Sequence, residues 1–158
     1  MDFFSSEEIV ASLGDKAKMK GELSFVRLCI LGIMAGFCIA LGYLAFIRIT
    51  GTAPTEWGSF NNFLGGALFP VGLIALTFVG GELATGNMMV MTLGVLQKKV
   101  RVGALCYNWL VVLLTNCLGG FLVAYLFGHI VGLTEGAFLD KTVAVAQAKI
   151  ADPPIVAF

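Results

Sequence analysis

Charge is scarce in this 158-residue chain: Asp, Glu, Lys and Arg make up 13% of it, about half the share found in soluble domains. What charge there is falls unevenly, and residues 28–47, 57–81 and 102–134 carry none. A helix needs about 20 predominantly apolar residues to cross a hydrocarbon core of roughly 30 Å, and each gap is that long. A soluble globular class is excluded. Net charge is zero, so nothing points to nucleic acid. The four cysteines, Cys29, Cys38, Cys106 and Cys117, sit inside apolar runs with no CxxC pair, and His129 is the single histidine. That pattern gives neither a disulfide framework nor a metal site, and no cofactor motif is present. No cleavable signal peptide is expected from these residues. The first apolar run begins near residue 25, is long enough to span, and lacks a small-residue cleavage motif after it.

What is there is hydrophobic residue, 58% of the chain, with a mean hydropathy of +0.92. Residues 1–24 read as an amphipathic helix lying at the membrane interface. Ser5 and Glu8 have capping-box spacing, and Ile9, Val10, Leu13 and Ala17 form a stripe opposite Glu7, Glu8, Asp15, Lys16 and Lys18. Residues 25–158 read as the transmembrane domain, with spans at about Val26–Ile47, Phe63–Leu96 and Gly103–His129. Lys16, Lys18, Lys20 and Arg27 precede the first span, and Lys98, Lys99 and Arg101 lie between the second and third. Arg48, Lys141 and Lys149 fall on the other side. By the positive-inside rule this places the amino terminus in the cytoplasm.

The second span is too long for one straight crossing. Its middle reads Gly80-Gly81-Glu82-Leu83-Ala84-Thr85-Gly86-Asn87. An acidic side chain at the bilayer centre costs at least ~2.5 kcal/mol, and broken backbone is tolerated at membrane depth only where protein buries it or it lines a cavity. The pattern predicts two half-helices with a loop over 80–87, and makes that loop the functional candidate. Small residues at four-residue spacing, Gly32, Gly36 and Ala40 in the first span and Gly120, Ala124 and Gly128 in the third, predict close helix packing.

The stretch Gly81-Glu82-Leu83-Ala84-Thr85-Gly86-Asn87 resembles the signature of the formate/nitrite transporter family. Asn108-Trp109-Leu110 with Asn116-Cys117-Leu118-Gly119 is similar to that family's third helix. Lys98-Lys99-Val100-Arg101 is similar to its cytoplasmic turn, and Ala148-Lys149 ahead of Pro153 to the external loop before its fourth helix. The resemblance covers the whole chain. It implies an all-α membrane protein whose three transmembrane helices, the second one broken, form the first half of an aquaporin-like six-helix inverted repeat. On that reading the chain stops where a fourth helix should begin, and the family's pore histidine on helix five lies beyond it. His129, at the external end of span three, does not replace it. The resemblance implies that full-length members assemble as homopentamers in the plasma or inner membrane, with a pore in each subunit for small anions.

The resemblance also implies roles. Thr85, in the loop between half-helices, offers a hydroxyl to a carboxylate or nitrite oxygen, where half-helix amino ends favour an anion; its other reading is a helix cap. Glu82 is expected to accept hydrogen bonds from loop amides and hold the break in shape, with Asn87 doing so from the other side and Gly80, Gly81 and Gly86 giving the backbone room. Leu73 falls at the cytoplasmic constriction or in plain packing. Ala84 falls at the external constriction, where it departs from the usual Phe. Lys149 falls at the external vestibule or in a solvated loop. The function implied is transport of formate or nitrite past apolar constrictions, with proton coupling, since neutralising an anion removes most of its desolvation cost. A hydrosulfide or lactate channel and a non-transporting fragment or assembly partner are the alternatives. An intramembrane enzyme lacks a paired base and nucleophile.

Overall fold

A computed structural model describes residues 4–151 and 153, and every described element is helical. Seven α-helices follow one another among the described residues. They are α1 (Ser6–Gly21), α2 (Phe25–Thr50), α3 (Ser59–Leu68), α4 (Pro70–Val79), α5 (Ala84–Leu96), α6 (Val102–Val123) and α7 (Leu139–Ala151). Short 3-10 turns occupy Thr55–Trp57 and Gly136–Phe138, and a π-helical stretch, Ala124–Ile130, prolongs α6. Among the described residues, three helical stretches are long and apolar enough to cross a membrane: Phe25–Thr50, Ser59–Val79 (α3 with α4) and Val102–Ile130. The 13-residue α5 is apolar but short, about 20 Å at 1.5 Å per residue. The three expected spans are all present. The middle one is interrupted, as its glycines and acid predicted, and its two parts are unequal.

Two compact units divide the chain, Met1–Gly36 with Phe78–Gly119 and Phe37–Thr77 with Gly120–Phe158.

In the first unit, α1 starts as its sequence dictates. The Ser5 side chain accepts from the Glu8 N–H at 3.2 Å and the Glu8 carboxylate accepts from the Ser5 N–H at 2.7 Å, which satisfies two donors of an otherwise open helix end. The Ser5 N–H, and then its hydroxyl, hold the Glu8 carboxyl below the usual carboxylate range. The expected apolar stripe of α1 divides. Ala17 is fully buried and Leu13 packs on a cluster of Ala17, Val90, Met91 and Leu105, whereas Ile9 and Val10 stay exposed. Thus α1 docks on α5, with Gly14 and Ala17 close to the end of that helix, rather than standing apart from the bundle. Polar links finish the contact. Gln97 donates to the Val10 carbonyl at 2.8 Å, and Lys99 reaches Asp15 at 2.7 Å.

The small residues of α2 do what their spacing predicted. A Cβ at Gly32 would strike the Thr115 hydroxyl, and one at Gly36 the backbone carbonyl of Asn116, so α2 and α6 touch backbone to backbone. The corresponding face of α6 behaves differently, because no atom lies within 4 Å of a Cβ built at Gly120. A second core cluster joins Leu28, Ala84, Val111 and Val112.

In the second unit, Pro70 separates α3 from α4. Proline has no N–H to donate and its ring crowds the preceding turn, so the Phe69 N–H closes α3 on Gly65 and the Gly72 N–H turns back to Phe69. Gly72 lies against the backbone of Cys38 and Gly42. The Arg48 guanidinium sits 3.7 Å from the centre of the Phe138 ring and donates to the Leu133 carbonyl. The ring nitrogen Nδ1 of His129 lies 2.8 Å from a Glu135 carboxylate oxygen, both exposed.

Candidate functional site

The interruption spans Gly80–Leu83, four residues rather than the eight expected. Gly80 has a φ of +71°, which glycine reaches without the Cβ clash that other residues meet. Gly81 is half-buried, and the Glu82 N–H donates to the Leu31 carbonyl of α2 at 3.1 Å. Thr85, Gly86 and Asn87 lie not in the loop but in the first turn of α5.

The reason is a residue from another helix. Leu83, at the N-cap of α5, has no side chain that can accept a hydrogen bond. The Asn116 side chain of α6 stands in for it. Its Oδ1 accepts from the Ala84 N–H at 2.9 Å, while its Nδ2 donates to the carbonyls of Gly32 at 2.8 Å and Glu82 at 2.9 Å. With Ala84 anchored, the Asn87 N–H bonds Leu83 and the helix runs. Among the described residues nothing accepts from the Thr85 or Gly86 N–H, and both residues are exposed.

Glu82 is 6% exposed, and its carboxylate accepts from side chains, not from the loop amides expected. Lys20 donates to it at 2.6 Å and Asn87 Nδ2 at 2.7 Å. Lys20 also donates to Asn87 Oδ1 at 3.0 Å, and Asn87 Nδ2 continues to Asn108 Oδ1 at 2.8 Å. Asn87 therefore bonds the acid directly. Asn108 is 1% exposed, and its own Nδ2 has no partner among the described residues. A buried carboxylate is tolerable when a counter-ion and further hydrogen bonds replace water, and this one has both. The network ties α1, the break, α5 and α6 at one point. Beside it lies a cavity of about 680 Å³ lined by Lys16, Lys20, Arg27, Leu31, Gly80 and Glu82, among others.

Three other residues singled out in the sequence fall elsewhere. Ala84 is 7% exposed and packs with Leu28, Val111 and Val112. Leu73 is exposed on α4, and Lys149 stands in the last turn of α7, a helix where a loop was expected. Lys20, Asn108 and Asn116 are the members that sequence reasoning missed. Asn108 and Asn116 had a signal, being amides in a charge-free apolar run. Lys20 had none beyond its sign.

A multi-pass membrane protein with an interrupted helix, its break held by a buried ion pair and capped from a neighbouring helix, is the class these features define. The model of the formate/nitrite transporter family matches residues 7–158, and the chain belongs to that family. It is 45% identical over 151 residues to the "Uncharacterized transporter YrhG" of Bacillus subtilis (95% of this chain, 57% of that protein). It is 42% identical over 150 residues to the "Formate channel BtFdhC" of Bacillus thuringiensis (95% and 58%). To the "Formate channel FocA" of Haemophilus influenzae it is 33% identical over 138 residues (85% and 46%). The chain thus spans between about half and three-fifths of the length of these relatives.

Proposed function

We propose that this chain forms part of a pathway carrying small monovalent anions, formate or nitrite, across a membrane. The observation that carries the reading is the start of α5. A 13-residue helix begins beside a break in an apolar span, and its exposed residues Thr85 and Gly86 have N–H groups without an acceptor among the described residues. Such a turn concentrates partial positive charge and open donors, which suits an anion and repels a cation. It holds no full charge there, so an anion is attracted without being trapped, as permeation requires. Glu82 would oppose an anion if its charge were free. Paired with Lys20, it shapes the turn instead.

The name of the Bacillus thuringiensis relative, a formate channel, supports formate among the candidates. The family pattern supports a constriction at Leu73 and an anion-attracting lysine at Lys149, both exposed residues. Deeper in the pathway, a proton taken up by the anion lowers the cost of leaving water, which supports proton-coupled movement. In the full-length protein the reading is a homopentamer in the plasma or inner membrane, amino terminus cytoplasmic, with α1 along the interface.

Thr85→Val tests the reading. Valine has nearly the same shape and no hydroxyl, so the fold is retained while one donor is lost. Formate and nitrite uptake into proteoliposomes of the full-length protein is expected to fall several-fold. Uptake equal to the unsubstituted protein for both anions would remove Thr85 from the pathway.

A further inference from the structure

We infer that Asn116 is the positioning residue of the anion-facing turn: by clamping the break from α6 it sets the direction of the Thr85 and Gly86 donors, and so which anions pass. The inference rests on the function proposed above and adds the residue that governs selection. A carboxamide is the side chain that fits. It presents one acceptor and two donors in a plane, and here all three are used, at 2.8–2.9 Å, on three different backbone groups: the Ala84 N–H, the Gly32 carbonyl and the Glu82 carbonyl. Two of those groups flank Leu83 on either side. Asn116 therefore fixes both the last turn of the break and the first turn of α5, while Gly32 ties that arrangement to α2.

The clamp is tight because the backbones around it are. A Cβ at Gly36 would fall on the Asn116 carbonyl, so the amide has no room to slide along α2. The consequence follows from the order of residues. Ala84 is the first residue of α5 and Thr85 the second. Freeing the Ala84 N–H lets the start of the helix shift or fray, and the next two N–H groups move with it. Donors that select among ligands must be held to about 0.5 Å, and no other side chain bonds the backbone of residues 83–86 among the described residues. A fixed turn suits a small planar anion with two oxygens and turns away a monocarboxylate carrying a longer chain. A loosened turn discriminates less.

Two measurements on the full-length protein test this, using Asn116→Leu, which has similar size and no polar group, and Asn116→Ser, which is too short to reach the three partners. Thr115→Val is the control, since the Thr115 hydroxyl bonds the Val111 and Val112 carbonyls of its own helix. Amide hydrogen exchange at Ala84, whose N–H Asn116 holds, should quicken at least tenfold in both Asn116 variants and stay unchanged in the control. The ratio of formate to lactate flux in proteoliposomes should fall at least fivefold in both. A flux ratio does not depend on how much protein folds, so a merely structural role would not move it. Unchanged exchange overturns the clamp. Faster exchange with an unchanged ratio overturns its part in selection. Unsubstituted protein that passes neither formate nor nitrite overturns the proposed function, and the selection claim with it, while the exchange result still reports on the clamp.

Discussion

At the scale of single residues, the most consequential group is Glu82, a carboxylate 6% exposed between apolar helices. Its Oε2 accepts from Lys20 at 2.6 Å and from Asn87 at 2.7 Å, and the pair should behave asymmetrically. Lys20→Met leaves a buried charge without its counter-ion, a loss of about 3–5 kcal/mol in buried pairs. The Lys20 side chain keeps 22% exposure, so the lower end of that range is expected. Glu82→Gln should cost less, because the freed ammonium can turn to water. The double substitution should recover most of what Lys20→Met loses, having no buried charge left. Unfolding midpoints of the three variants in one detergent decide the matter. A double variant as unstable as Lys20→Met would mean that Lys20 acts by packing rather than by charge. Glu82 itself was legible in the sequence, since an acid inside a charge-free stretch must be satisfied somehow. Its partner was not. Lys20 lies 62 residues away, on a helix whose polar face reads as solvated, and sign alone does not say which lysine will turn inward.

At the scale of elements, the interrupted span was readable because clustered glycine and a charge at membrane depth are tolerated only where the helix breaks inside protein or beside a cavity. Its length was not readable. The boundary between loop and helix depends on which N–H groups find acceptors, and the acceptor for Ala84 comes from α6, so residues 84–87 become helix where the local pattern predicted a loop. The division of α3 from α4 at Pro70 was not read from the sequence, which placed the only break of that span at 80–87. The π-helical end of α6 left no sign in its apolar sequence. Glycine spacing was half informative. Gly36 has the Asn116 backbone against it and Gly120 has open space, though both belong to equally regular small-residue faces. Gly36→Ala should therefore destabilise the protein by about 1–3 kcal/mol, the usual cost of overpacking. Gly120→Ala should be neutral, or stabilising by about 0.5–1 kcal/mol through reduced chain entropy. Paired melts of these two variants check both claims. A large loss at Gly120 would place another helix or subunit against that face.

At the scale of the whole molecule, the question is which side of the membrane each end occupies. Lys16, Lys18, Lys20, Arg27, Lys98, Lys99 and Arg101 fall on one side of the three spans, and Arg48, Lys141 and Lys149 on the other. The positive-inside rule assigns the first group to the cytoplasm. The structure supplies a reason why that group is a unit, since Lys99 bonds Asp15 at 2.7 Å and Gln97 bonds the Val10 carbonyl. The turn after α5 and helix α1 thus stay together on one side, and neither can be translocated without the other. Orientation is then decided by the summed charge of both segments. Single cysteines at Lys16 and Lys149, introduced with Cys29, Cys38, Cys106 and Cys117 replaced by serine or alanine, give a direct reading. In intact cells a membrane-impermeant maleimide should label Lys149→Cys and spare Lys16→Cys, which should react only after permeabilisation. The reverse pattern would invert the topology and put α1 and the turn after α5 outside the cell.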